Sequence, residues 1–444
     1  MNEFPGLAGS NRKIDPARRR PTKPDGSLAD NDRVETGPTA LAFEAWAKAG
    51  LMPPNLEAMR EFRLNRLVGE LRKHYYAGLL CFDPLNIRYA TDAPNMQLWV
   101  THNPSRACFV SADGHVVLWD FHNCEHLSAH LPLVRETRTG ASFYYFISGD
   151  RVDEHAGKFA AEVDDLLRRR GGANRRLAVD RIEPAGLHAL QKLGVDVREG
   201  QEVTERARAI KGPDDIKAMK CAIHSCEMAV ARMQAELRPG MTENDLWSIL
   251  HADNIRHGGE WIECRILASG QRTNPWFQEC GPRVIGDGDI VAFDTDLIGV
   301  YGMCCDISRT WIAGNRKPDA EQRRVYRHAH EQVMANMGLI RPGLTFREFT
   351  EKAHLGPDEF RKQRYSVLGH GVGLCDEWPS LYFPEDYVAT GYDGIFEPGM
   401  AICVESYCGA VGGRFGVKLE QQVLVTVSGT EDLTTYPYEP DFLA

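Results

Sequence analysis

Six side chains in the last third of the chain, Asp294, Asp296, Asp306, His370, Glu405 and Glu420, have the makings of a metal site. One imidazole among carboxylates is a hard, oxygen-rich donor set. It suits Mn, Fe, Co or Zn, and in this number it suits two ions better than one. Carboxylates on buried strands repel one another and are costly to desolvate without a cation, so the set as a whole is hard to explain as solvated surface charge.

The elements around these residues must aim them. The stretch from Asp289 to Gly299 alternates polar and apolar residues. Side chains two apart on a strand share a face, which predicts that Asp294 and Asp296 point the same way. A second strand over Met303 to Ile312 is expected to bring Asp306 beside them. Pro213 followed by Asp214 and Asp215 predicts the start of a long helix running to about Leu237, ended by Pro239-Gly240. Thr242 is placed to cap the next helix, with Glu243 and Asp245 in its first turn. A helix pair over Ala320 to Met337 and Thr345 to His354 precedes the strands that carry the last ligands. Upstream, residues 78–197 alternate short apolar runs with helical stretches, an α/β pattern. Leu41 to Lys73 reads as helical, broken at Met52-Pro53-Pro54. Three parts are expected: a polar arm over 1–40, flexible or dimer-embracing; a domain over 41–204; and a catalytic domain over 205–444.

At 444 residues the chain is long enough for two domains with sizeable cores. A net charge of −10 argues against nucleic acid or an anionic membrane as a partner. The 12 cysteines are scattered, with no CxxC pair, which fits reduced thiols in a cytoplasmic protein. Neither an apolar signal core nor a run of transmembrane length is expected.

Phe293-Asp294-Thr295-Asp296 followed by Asp306-Ile-Ser-Arg309-Thr310, then Leu368-Gly-His370-Gly-Val-Gly, Glu397-Pro-Gly-Met-Ala-Ile-Cys-Val-Glu405 and Gly416-Val-Lys-Leu-Glu420, resemble in order the ligand motifs of the pita-bread metallohydrolases. These include methionine aminopeptidase, prolidase and creatinase. Gly78 to Thr91 resembles the start of a creatinase-type N-terminal domain, and Ala209 to Lys220 the entry to the catalytic domain. The resemblance implies an α/β (α+β) fold, with a creatinase-like N-terminal α/β domain and a pita-bread catalytic domain. It implies the six residues above as ligands of two divalent transition-metal ions. The family's usual separation of its first two aspartates falls between those of Asp294 and Asp296 from Asp306, so either could take the usual ligand role.

Two departures from the peptidases bear on function. Their histidine motif continues to a second, substrate-facing histidine; here the run is shorter, and Asp376 stands before Glu377. Their other pocket histidine follows a Gly-x-Asn segment, where this chain has Asn274-Pro-Trp276-Phe277. Peptide hydrolysis needs donors for an oxyanion. An aromatic, acid-lined pocket favours instead a cationic head held by ring faces. A carboxylate beside a metal pair is also a plausible base for a C–H made acidic by chelation of the neighbouring carboxylate. A carboxylate, an acidic α carbon and a β sulfonium leaving group together describe dimethylsulfoniopropionate (DMSP). The run Gly369 to Pro379, the Asp294/Asp296 doublet and the long polar arm resemble the bacterial DMSP lyases of the pita-bread family. That resemblance implies β-elimination to dimethyl sulfide and acrylate, with Asp376 taking the α proton, Tyr365 assisting, and iron as the favoured metal. It also implies a homodimer in which Trp99 walls the partner's pocket, as Trp276 walls its own. An Xaa-Pro dipeptidase-like hydrolase is the alternative reading.

Overall fold

The computed structural model describes residues 37–444. The arm expected over 1–40 therefore falls almost wholly outside the described residues. The rest divides into two compact units, residues 55–208 and residues 37–54 with 209–444.

The first unit is a mixed six-stranded sheet: β1 (Gly78–Cys81), β2 (Ala107–Ser111), β3 (Val116–Asp120), β4 (Val134–Thr139), β5 (Arg176–Val179) and β6 (Asp196–Glu199), in the order β4-β3-β2-β1-β5-β6. β1 runs antiparallel to β2 and parallel to β5. The helix Val152–Gly171 buries Ala156, Phe159, Ala160, Val163 and Leu167, the spacing of one helical face. They share a core with Leu80, Phe109, Val117 and Trp119.

The second unit carries the expected long helix, Pro213–Glu236, and the helix Glu243–His257. A reciprocal cap starts the latter: Thr242 N donates to Asp245 Oδ2 (2.8 Å), and Asp245 N to Thr242 Oγ1 (3.1 Å). The helix Ala40–Lys48 belongs to this unit, not to the N-terminal domain the sequence suggested. Its Trp46 is fully buried and donates from Nε1 to Cys221 O at 2.9 Å. The helix stops at Lys48, before the prolines, with Gly50 at φ 71° turning the chain, and the unit boundary follows at Pro54.

Eleven further strands follow: β7 (Trp261–Ile262), β8 (Leu267–Ser269), β9 (Ile290–Phe293), β10 (Leu297–Ile298), β11 (Cys304–Cys305), β12 (Arg309–Ile312), β13 (Gly369–Val372), β14 (Asp376–Leu381), β15 (Ala401–Cys408), β16 (Val417–Val425) and β17 (Thr430–Asp432). They form the sheets β11-β10-β7, β12-β9-β8 and β14-β13-β15-β16-β17. The helix Ala320–Met337 covers β15 and β16 with Val325, Tyr326, Ala329 and Val333, in one core with Phe346, Phe349, Val404 and Leu419. Each buried Val, Leu or Phe among these contributes about 1.5–3 kcal/mol by leaving water. No helix among the described residues is long and apolar enough to cross a membrane.

Candidate metal centre

The aspartate doublet departs from the simple strand expected. β9 ends at Phe293 and β10 begins at Leu297, so Asp294, Thr295 and Asp296 bridge a break between strands of two different sheets. Asp296 takes a left-handed backbone, φ 37°, which ends the alternation. The strand expected over Met303–Ile312 breaks in the same way, between β11 and β12, and Asp306 lies in that gap. Thr295 ties the two breaks together. Its Oγ1 donates to Cys305 O (2.7 Å) and accepts from Ile307 N (2.9 Å), replacing bonds the ladder would have made.

The other ligands come from regular pairing. His370 on β13 is opposite Cys403 on β15, and Glu405 on β15 is opposite Glu420 on β16. Two glutamates directly opposite destabilise a sheet unless a cation joins them. Arg309, fully buried, holds β16 in place by donating to Glu420 O at 2.7 Å and to Gln421 Oε1 at 2.9 Å.

These elements bring all six residues together. His370 Nε2 lies 3.5 Å from Asp306 Oδ2, 3.5 Å from Glu420 Oε1 and 3.6 Å from Glu405 Oε1. Donors about 2.0–2.2 Å from a common ion and roughly at tetrahedral to octahedral angles lie about 3.0–3.5 Å apart, so the spacing fits a shared cation. The Nδ1 side of His370 is turned to Gly371 O at 3.0 Å, an arrangement in which Nδ1 donates and the Nε2 lone pair faces the carboxylates. Asp306 Oδ1, Glu405 Oε1 and Glu420 Oε1 are buried without a hydrogen-bond partner, which is costly unless a cation satisfies them. The doublet divides its work. Asp294 groups with Glu405 and Glu420, whereas Asp296 groups with Asp306 and Asp376. Each aspartate joins a different cluster, so both have a place in the ligand group.

Lys418 was not recognised in the sequence. It is fully buried, and its Nζ lies 2.9 Å from Asp294 Oδ2, 2.9 Å from Glu405 Oε2, 2.7 Å from Glu420 Oε2 and 2.9 Å from Ser308 Oγ. The signal was present: Lys418 stands two residues before Glu420 on one strand and so shares its face. Ser308 Oγ also lies 2.6 Å from Asp294 Oδ1 and 2.9 Å from Glu420 Oε2, and its single proton serves one carboxylate at a time. Five ligand carboxylates less one ammonium leave four negative charges, the charge of two divalent ions.

The electrostatics follow from this crowding. Burial pushes Asp294, Asp306 and Glu405 up, with their carboxylate neighbours adding to it. Burial and the charge of Asp294 raise Asp296 to about 6. Burial opposes ionisation of Glu420 too, but Lys418 and His370 outweigh it and hold the carboxyl well below its usual range. Lys418 keeps its proton against burial because Asp294, Glu405 and Glu420 surround it.

Asp376 opens β14 with its side chain 49% accessible, and its Oδ1 lies 3.6 Å from His370 Nδ1. Surrounding protein depletes solvent at its carboxyl; this, with Asp296 and Glu420, raises it to about 6 against the pull of His370. The loop before it is anchored by buried Glu377, which pairs with Lys211 Nζ (3.1 Å) and accepts from Leu374 N (2.9 Å). Tyr365 places its ring 4.6 Å from Lys418 Nζ, and burial beside Glu405 pushes its hydroxyl up, so it stays protonated.

Trp276 is turned inward where an open pocket wall was expected. It is only 8% exposed and stacks on Tyr407 at 5.7 Å, because the Tyr407 hydroxyl donates back to Thr273 O and draws that segment inward. The ring left exposed is Phe277, stacked on Tyr365. Trp99 lies in the first unit, tilted against Phe121 at 5.9 Å.

Residues 217–427 match the model of Metallopeptidase family M24. Over 434 residues, 97% of either chain, the sequence is 54% identical to dimethylsulfoniopropionate lyase DddP of Roseovarius nubinhibens and 53% identical to that of Roseobacter denitrificans. It is 30% identical to the probable dipeptidase PepE of Mycobacterium tuberculosis over 276 residues, 61% of this chain and 70% of that one. The Xaa-Pro dipeptidase from Bacillus anthracis superposes with a TM-score of 0.67 at 23% identity, over 85% of this chain and 98% of that one, which shows a common fold. With these motifs in order and a relative matched over 97% of its length, the chain belongs to metallopeptidase family M24.

Proposed function

We infer that this protein is a DMSP lyase, a metal-dependent carbon–sulfur lyase that converts DMSP to dimethyl sulfide and acrylate. The observation that carries this reading is the 54% identity to a DMSP lyase along 97% of both chains. The site's chemistry agrees with it. Two divalent ions held by Asp294, Asp296, Asp306, His370, Glu405 and Glu420 would supply the Lewis acidity that binds a carboxylate and acidifies the neighbouring C–H. Iron is the proposed metal, with Mn, Zn and Co compatible with the same donors.

In the proposed mechanism Asp376 is the general base. Its carboxylate stands beside the ligand group yet reaches solvent, and a value near about 6 makes it a better base than an ordinary aspartate. It takes the α proton. The C–H electron pair forms the new double bond, and the Cβ–S pair leaves with sulfur as neutral dimethyl sulfide. Acrylate remains, and no water is consumed. Tyr365, protonated and adjacent to the ligand group, orients the substrate. The proposed assembly is a cytoplasmic homodimer, with Trp99 contributed to the partner's pocket.

Headspace gas chromatography of metal-loaded protein incubated with DMSP tests the reading. Release of dimethyl sulfide with equimolar acrylate is expected, and Xaa-Pro dipeptides should remain intact. Rapid dipeptide cleavage without sulfide release would replace this reading with that of a dipeptidase.

A further inference from the structure

The carboxyl of Asp376 is 49% exposed and stands 3.6 Å from His370 Nδ1, beyond hydrogen-bond distance. The aim of this side chain therefore depends on the backbone that carries it. The strand ladder slips just there. His370 is opposite Ser380, but the next residue, Gly371, is opposite Glu377. Such a bulge releases β14 from the register of its partner and re-aims the side chains beyond it. Something besides the ladder must fix where Asp376 sits.

Glu377, its neighbour in the chain, is built for that. Its side chain is 1% exposed and pairs with Lys211, 5% exposed, at 3.1 Å. Its second oxygen accepts from Leu374 N at 2.9 Å, and a Cβ on Gly373 would overlap the carboxylate, so the loop folds closely around it. Both ends of this arrangement are referred to the ligand-bearing strands. Lys211 N donates to Gly399 O at 2.9 Å, just before β15, which carries Glu405. Cys304 N on β11 donates to Gly373 O at 2.8 Å, just ahead of Asp306. Taking both charges of the pair out of water is costly, and an apolar pair of similar volume serves stability as well. Stability alone is thus a weak reason for the pair, and the geometry it fixes is a better one.

We propose that Lys211 and Glu377 are positioning residues that hold Asp376 at the reach the elimination requires. This rests on the lyase reading, with Asp376 as the base, and deepens it.

The test is a double-mutant cycle on the metal-loaded enzyme with Lys211→Met, Glu377→Gln and both together. A base displaced by about 1 Å costs about a hundred-fold, so kcat per bound metal should fall roughly ten- to hundred-fold in each single variant. KM for DMSP and metal content should hold, and the double variant should be no slower than the worse single one. With DMSP deuterated at the α carbon, the isotope effect on kcat should equal or exceed that of wild type, because proton removal becomes the slow step. If Lys211→Met does not fold, Glu377→Asp, which keeps the charge and shortens its reach, should show the same fall in kcat. Unchanged kcat, a loss of metal or a rise in KM that accounts for the slowing, or an isotope effect that vanishes would each overturn the positioning role. Normal turnover by Asp376→Asn would remove the base itself, and wild type that releases no sulfide from DMSP would overturn the lyase reading.

Discussion

Asp376 and Lys418 are both charged residues against the same ligand group, yet their surroundings assign them opposite tasks. Asp376 is half accessible and reachable by substrate; Lys418 is sealed among Asp294, Glu405 and Glu420. Asp376→Asn keeps size and removes the base, so turnover should fall by about a hundred- to ten-thousand-fold, as measured by sulfide release. Elemental analysis of the same sample should find unchanged metal. Loss of an ion would make Asp376 a ligand, an outcome its grouping with Asp296 and Asp306 keeps open to experiment. Lys418→Met removes the one ammonium among three buried carboxylates. Breaking such a cluster costs about 3–5 kcal/mol, so the metal-free variant should unfold at markedly lower denaturant. Metal should restore more stability to it than to wild type, since cations then carry the whole neutralisation. Equal denaturant midpoints for the two metal-free proteins would show that Lys418 is not the counterion described here.

At the scale of elements, buried charges hold the scaffold of the first unit. The helix Pro84–Thr91 ends in Asp92, whose φ of 58° suits Asn as well as Asp. Its carboxylate meets Arg60 at 2.6 Å and Arg88 at 3.1 Å, all nearly buried. Burial resists this charge, but Arg88 and Arg60 outweigh it and lower the pKa. A depressed folded value contributes stability above the unfolded value of about 3.9, and that contribution fades as pH falls through the folded value. Asp92→Asn should therefore destabilise the first unit by about 3–5 kcal/mol at pH 7. The gap between mutant and wild type should narrow below about pH 4. Urea titrations at the two pH values check both parts, and a gap that widens on acidification would contradict the sign.

For the whole molecule, the metal centre and the large core of the second unit are built on the same strands, β15 and β16. Without the ions the buried carboxyls must either stay charged with no counterion or take up the protons for which burial has raised their affinity, and either course weakens the site. Chelation should thus lower the melting transition of the second unit and abolish activity together, and readdition of iron should restore both. Calorimetry before and after dialysis against chelator measures this; an unmoved transition would mean that the ligand group folds without needing a cation.

Much of this protein follows from local chemistry. The helix starts at Pro213 and Thr242, the strands β1, β2, β3 and β5, and the candidate ligands His370, Glu405 and Glu420 were legible because capping, periodicity and donor type act within a few residues. What no local rule supplied depends on pairings between distant segments. The breaks at Asp294–Asp296 and at Asp306 exist because Thr295 bonds across to Cys305 and Ile307. Lys418 became a counterion only when β16 met β15 and the Asp294 segment. Trp276 turned inward and Phe277 outward because Tyr407 captures the segment before them. Sequence determined which groups carry charge and which could bind metal; tertiary structure decided which carboxylates gather around one point, since that depends on distance and burial set by contacts from ten to more than a hundred residues apart.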